Sequence, residues 1–123
     1  MKTLILHLKK KWFDMIKAGV KKEEYREIKP HYIRQLIKFE PLKNDLIRDY
    51  NFHKGFDEGE INGIESEFLN LKYDVIEFSL AYPIRAETDK WLTFKNPKIR
   101  IGTGRPEWGA EPGKLYFVIT WDN

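Results

Sequence analysis

The sequence predicts a small α+β domain, and three observations carry that reading. Apolar stretches of strand length recur along the chain. Two or three other segments space their apolar residues as helices do. The whole is 123 residues long with no internal repeat, a size that permits one core of modest burial over residues 1–123. Hydrophobic residues make up 41% and aromatic residues 15% of the chain, too much for a disordered polymer and enough to build that core.

The elements follow in order. Lys2 to Leu8 is an apolar run of strand length and reads as the first strand. Between Lys9 and Ala18, Trp12, Phe13 and Ile16 recur at helical spacing with Met15 beside them, and Gly19 stands where a helix C-terminal glycine belongs. Trp12 belongs to a core stripe on this spacing. Val20 to Arg26 then reads as a charged strand. Extended throughout, it places Lys22, Glu24 and Arg26 on one face and Lys21, Glu23 and Tyr25 on the other. Lys29-Pro30 stops it. Tyr32, Ile33, Leu36 and Ile37 predict a short helix, and Pro41, acceptable in a first helical turn, opens a second over Leu42 to Tyr50. Asn51 to Gly63, with three glycines and little periodicity, reads as a loop placed to cover a cleft.

Strands return over Lys72 to Ala81, where Ile76, Phe78 and Leu80 share one face and Tyr73, Val75 and Glu77 the other. Trp91 to Phe94 and Lys98 to Ile101 read as two further strands, separated at Asn96-Pro97. Leu115 to Trp121 closes the chain, with Leu115, Phe117, Ile119 and Trp121 on one face. At least five strands and two or three helices emerge, hence the α+β class.

Several functions are excluded or narrowed by composition. Against 22 basic residues stand 19 acidic ones, for a net charge of +3, so any affinity for nucleic acid must come from local patches. Without cysteine there is no disulfide, no thiolate zinc site and no cysteine nucleophile, which suits a reducing compartment. The apolar runs are too short to span a bilayer and the N-terminus lacks a signal-peptide pattern, so the expected location is cytoplasmic, with no membrane partner. His7, His31 and His53 are scattered over different elements, so no metal site and no cofactor is expected. Ser66 and Ser79 stand outside any Gly-x-Ser-x-Gly frame, against a serine hydrolase. Gly102 to Gly109 is glycine-rich but lacks the strand-then-helix frame and the Lys-Ser/Thr ending of a phosphate-binding P-loop.

Gly19, Lys21, Glu24 and Arg26 form the pattern Gly-x-Lys-x-x-Glu-x-Arg after a strand and a Trp-containing helix. This resembles the signature of the ASCH domain. Tyr73 to Phe78, Ile101 to Lys114 and Tyr116 to Ile119 resemble the phage-associated and bacterial branch of that family, while residues 30–70 have no counterpart. The resemblance implies a PUA-like mixed β-barrel of about five to six strands with two or three peripheral helices. It also implies a cleft beside the signature strand that takes RNA or a nucleotide-like small molecule.

The residues themselves offer chemistry for such a cleft. Lys21 is either a charged phosphate ligand, a desolvated base, or a surface lysine paired with a carboxylate. If Lys21 and Glu24 both line the cleft, they cannot share one flat strand face, so the strand must twist or bulge. Arg26 offers a planar fork for phosphate, or a salt bridge to Glu24. Lys9 reaches the charged strand if the first strand pairs with it. Arg105 approaches a phosphate and Trp108 stacks on a base, or Trp108 plugs one end of the barrel.

Three functional classes follow. The first is a binding module in which Lys9, Lys21, Glu24, Arg26, Arg105 and Trp108 hold RNA or a nucleotide. The second is a small hydrolase acting on RNA or an acylated modified nucleoside. Some ASCH proteins resemble acetylcytidine amidohydrolases, whose signature lysine activates a threonine; here Glu24 stands where that threonine is expected. Glu24 as general base, toward water or a 2′-hydroxyl, and Lys21 as oxyanion or phosphorane stabiliser form the substitute catalytic pair. The third is an interaction scaffold that makes its contacts through residues 40–70.

Overall fold

A computed structural model describes residues 2–53, 61, 64, 69 and 73–123. Its elements are β1 (Thr3–Leu8), α1 (Lys10–Lys17), β2 (Glu24–Glu27), α2 (Pro30–Leu36), α3 (Glu40–His53), β3 (Val75–Leu80), β4 (Trp91–Thr103) and β5 (Leu115–Asp122), with short 3-10 turns at Thr88–Lys90 and Pro106–Trp108. The class is α+β. Five strands form one mixed sheet in the order β1-β3-β4-β5-β2. That order is open, with β1 and β2 as its two ends among the described residues. Among the described residues, no helix is long and apolar enough to cross a membrane.

Two units divide the chain, and they interleave in sequence. The first comprises β1, α1, β3, β4 as far as Lys98, and β5 from Thr120. Within it β1 and β3 run parallel, with Leu4 opposite Ile76, Leu6 opposite Phe78 and Leu8 opposite Leu80. Leu4, Leu6, Ile76 and Phe78 are buried, as the period-two pattern of these strands requires. β3 pairs antiparallel with β4 and sets Ile76 opposite Phe94. The Phe78 ring meets Phe94 and Trp121 edge-on at 6.0 and 4.8 Å, and α1 adds Phe13 and Ile16 to the buried set.

The second unit comprises β2 from Tyr25, α2, α3, β4 from Ile99 and β5 to Ile119. Pro30 opens α2, where its missing N–H costs nothing. α3 begins before Pro41 and runs through His53, longer at both ends than the expected Leu42 to Tyr50. Asn51 to His53 are therefore helical rather than loop; positions 54–60 and 62–63 of that expected loop lie outside the described residues. Ile33, Leu36, Ile37 and Leu46 are buried here with Ile99 and Phe117.

Two strand expectations are corrected. β2 starts at Glu24, so Val20 to Glu23 are not strand and the proposed alternation of Lys21, Lys22 and Glu23 does not apply. β4 is one continuous strand of 13 residues through Asn96-Pro97. Asn96 takes φ 52° there, a left-handed conformation asparagine tolerates better than most residues. Its N–H donates to the Asp74 carbonyl at 3.0 Å and its side chain to Asp122 Oδ2 at 3.1 Å, so the irregular residue is held from both sides. β5 is buried on both faces from Tyr116 to Ile119.

The β3–β4 connection is fastened by a fork. Arg85 donates from Nη1 and Nη2 to the two carboxylate oxygens of Glu77 at 2.8 and 2.9 Å, while its guanidinium lies 3.9 Å from the Trp91 ring centroid. The Arg85 hydrogen bonds hold the Glu77 carboxyl below its ordinary value near 4.5. A depressed carboxylate stabilises the fold above the unfolded value and loses that contribution as pH falls through the folded one. Urea melts of wild type and Glu77→Gln from pH 7 to pH 3 should converge at the acidic end. Parallel pH dependences would show that the fork contributes nothing.

Candidate functional site

The end of α1 decides where Lys21 lies. Gly19 adopts φ 76°, its N–H donates to the Ile16 carbonyl at 3.0 Å, and the Val20 N–H donates to the Met15 carbonyl at 3.0 Å. These two bonds make a Schellman motif, which reverses the chain after the helix. The Lys21 N–H also reaches the Met15 carbonyl, at 3.1 Å. The side chain of Lys21 is thereby turned inward and keeps 0% of its accessible surface.

Its ammonium is held by oxygens and an aromatic ring. Nζ donates to the Glu23 carbonyl and, at 2.9 Å, to Glu24 Oε1. It lies 5.8 Å from the centroid of Trp12. Glu24, the first residue of β2, retains only 7% of its side-chain surface. Because Lys21 lies outside β2, which starts at Glu24, the two need not share one strand face to meet. Trp12, expected in the core, is instead half-buried, with Lys11 Nζ 4.7 Å from its centroid.

Arg26, half-buried in β2, places its guanidinium 5.6 Å from the Tyr32 ring centroid, and Lys29 Nζ lies at the same distance from that ring. Lys9 is the exposed N-cap residue of α1, and its carbonyl accepts from the Phe13 N–H at 3.0 Å. The sheet pairs β1 with β3 and not with β2, so the strand pairing expected to carry Lys9 to the charged strand is not formed.

The Arg105–Trp108 segment follows β4 as a tightly fastened turn. Trp108 N–H and Ala110 N–H both donate to the Arg105 carbonyl, at 3.0 and 3.2 Å, and Gly109 turns the chain at φ 101°. Arg105 N–H donates to the Tyr25 hydroxyl at 2.9 Å, and Glu111 N–H donates to the Tyr116 hydroxyl at 3.0 Å. A Cβ on Gly104 would fall 2.5 Å from the Tyr25 ring and 2.7 Å from Ala110 Cβ, so only glycine fits. Trp108 packs against the buried cluster of Tyr25, Ala110, Tyr116 and Val118. Over its ring, at 4.8 Å from the centroid, lies the Arg105 guanidinium, 62% exposed and 3.6 Å from the Glu107 carboxylate.

Sequence reasoning missed one polar arrangement that the register of β1 and β3 creates. His7 lies opposite Ser79, and His7 Nδ1 is 2.6 Å from Ser79 Oγ, which in turn donates to the Ala81 carbonyl at 2.7 Å. Ser79 is fully buried, so this pair fastens strand ends and presents no nucleophile. Only the parallel pairing, unreadable from local pattern, brings the two together. Among the described residues no group of three His, Asp or Glu side chains converges on a metal position.

The fold and these side chains define an α+β protein with a buried Lys–Glu pair and an exposed Arg–Trp platform. Compared with protein-family models, with curated proteins and with solved structures, the chain matches none.

The buried pair has a measurable signature. Removing one partner of a buried ion pair typically costs about 3–5 kcal/mol, whereas replacing both by apolar groups is often neutral or better. Lys21→Met should therefore lower unfolding free energy by about 3–5 kcal/mol in urea, and adding Glu24→Leu should recover most of it. A double variant no more stable than Lys21→Met would show that the two side chains are not coupled.

Proposed function

We propose that the chain is an ASCH-type domain with a PUA-like barrel fold that binds RNA or a nucleotide, and that Arg105 and Trp108 meet the ligand. One observation carries this reading: an exposed guanidinium stacked on a half-buried indole, on a turn fastened to the core through Tyr25 and Tyr116. A guanidinium plane laid on an indole supplies the two contacts that an unpaired nucleotide needs, a stacking surface for the base and charge for the phosphate. Glu107 is the resident anion of Arg105. Exposed pairs of this kind are weak, so a phosphate can displace it.

Anisotropy titration of a labelled single-stranded RNA provides the test. Trp108→Leu, which keeps an apolar group against the core cluster, should weaken binding about 5- to 150-fold, the equivalent of about 1–3 kcal/mol for one stacked base. Arg105→Ala should weaken binding and reduce the salt slope by about one. Wild-type affinity in both folded variants would sink the reading.

The 2.9 Å contact between Lys21 and Glu24 favours a second reading, hydrolysis of RNA or of an acylated nucleoside, with Glu24 as base and Lys21 as stabiliser of the developing anion. The absent side-chain surface of Lys21 ranks it below binding. Mass spectrometry of products from both substrate classes tests it. Unchanged turnover in a folded Glu24→Gln protein would end it.

A further inference from the structure

Helix α3 carries a polar, largely exposed face. Asn44, Ile47, Arg48 and Asn51 recur at i, i+3, i+4 and i+7 and so form one stripe, extended by Phe52. Of these, Ile47 is half-buried and the rest are exposed. The stripe supplies two carboxamides, a guanidinium and a single aliphatic side chain. Together with Arg34, from the last turn of α2, these residues line a cavity of about 580 Å³. That volume lies within the range of about 300–1,000 Å³ typical of small-molecule sites.

The lining is selective in its chemistry. Arg34 and Arg48 supply positive charge in planar forks suited to phosphate. Among the described residues Arg48 pairs with Asp45 at 3.1 Å, in a pair exposed on both sides and therefore easily exchanged. Asn44 and Asn51 each offer a donor pair and an acceptor, the complement of a base edge or of sugar hydroxyls. Phe52 is 81% exposed, and the edge-on contact with His53 at 4.8 Å leaves ring surface available for stacking.

We infer that the cavity between α2 and α3 is a second ligand site, separate from the Arg105–Trp108 turn, which takes a small phosphorylated molecule bearing a flat ring, of the nucleoside monophosphate class. Phosphate sits between Arg34 and Arg48, the ring stacks on Phe52, and the carboxamides select among rings. This site does not depend on the proposed RNA contact, because no residue is shared.

Calorimetric titration of the full chain with AMP, GMP, CMP and UMP, and separately with inorganic phosphate and with adenosine, tests the inference. At least one monophosphate should bind with 1:1 saturation, at least about tenfold tighter than phosphate or adenosine alone, because charge and ring act together. Arg34→Ala, Arg48→Gln and Phe52→Leu, all at exposed positions, should each weaken it at least about fivefold. Lys10→Ala, at an exposed α1 position outside both proposed sites, should leave it unchanged. Saturation by none of the four, equal affinity in the Arg34→Ala, Arg48→Gln double variant, or loss of binding in Arg105→Ala would each overturn the proposal. The last outcome would place the nucleotide on the turn instead.

Discussion

A lysine ammonium with no accessible side-chain surface is the constraint around which the start of β2 is arranged. Removing a charge of that size from water costs several kcal/mol even after relaxation, and the chain offsets this with a carboxylate, a carbonyl oxygen and an indole face. Each partner comes from a different local device. The Schellman motif at Gly19 turns Lys21 inward, the segment before β2 presents the Glu23 carbonyl, the first strand residue gives Glu24, and α1 gives Trp12. Four short-range choices therefore converge on one ion. The backbone between α1 and β2 has little freedom left once they do.

The Arg105–Trp108 turn applies the opposite logic. Its backbone is spent on fastening, through two tyrosine hydroxyls and a left-handed glycine, while its charged side chain is left outside. A rigid base under an exposed cation lowers the entropy lost when a ligand is ordered against it. The α2–α3 cavity also combines guanidinium with an aromatic ring, yet it draws both from helix faces.

The sequence was most readable where one period dominated. β1 and β3 follow a clean alternation, α1 a clean helical stripe, and Gly19 a cap position that few other residues fill. The misreadings share a physical cause, a local rule overridden by partners distant in sequence. Pro97 argues for a strand end, but Asn96 is braced by Asp74 and Asp122, so β4 continues. Val20 to Glu23 read as the start of the charged strand, yet the N–H groups of Val20 and Lys21 bond back to the Met15 carbonyl and hold this stretch to the end of α1. Lys21 and Glu24 were legible as a pair; their burial was not, because nothing in a run of charges announces that one will be enclosed. The polar stripe of α3 is invisible to apolar spacing.

The contact between Gly104 and the Tyr25 ring has an evolutionary consequence. Any side chain at 104 collides with the ring, and shrinking the ring removes both the wall behind Gly104 and the hydroxyl that receives the Arg105 N–H. Neither position gains from changing alone, so the two should be inherited as a couple. Arg105 and Glu107, whose side chains are exposed, lie outside that constraint and can change with whatever the turn touches.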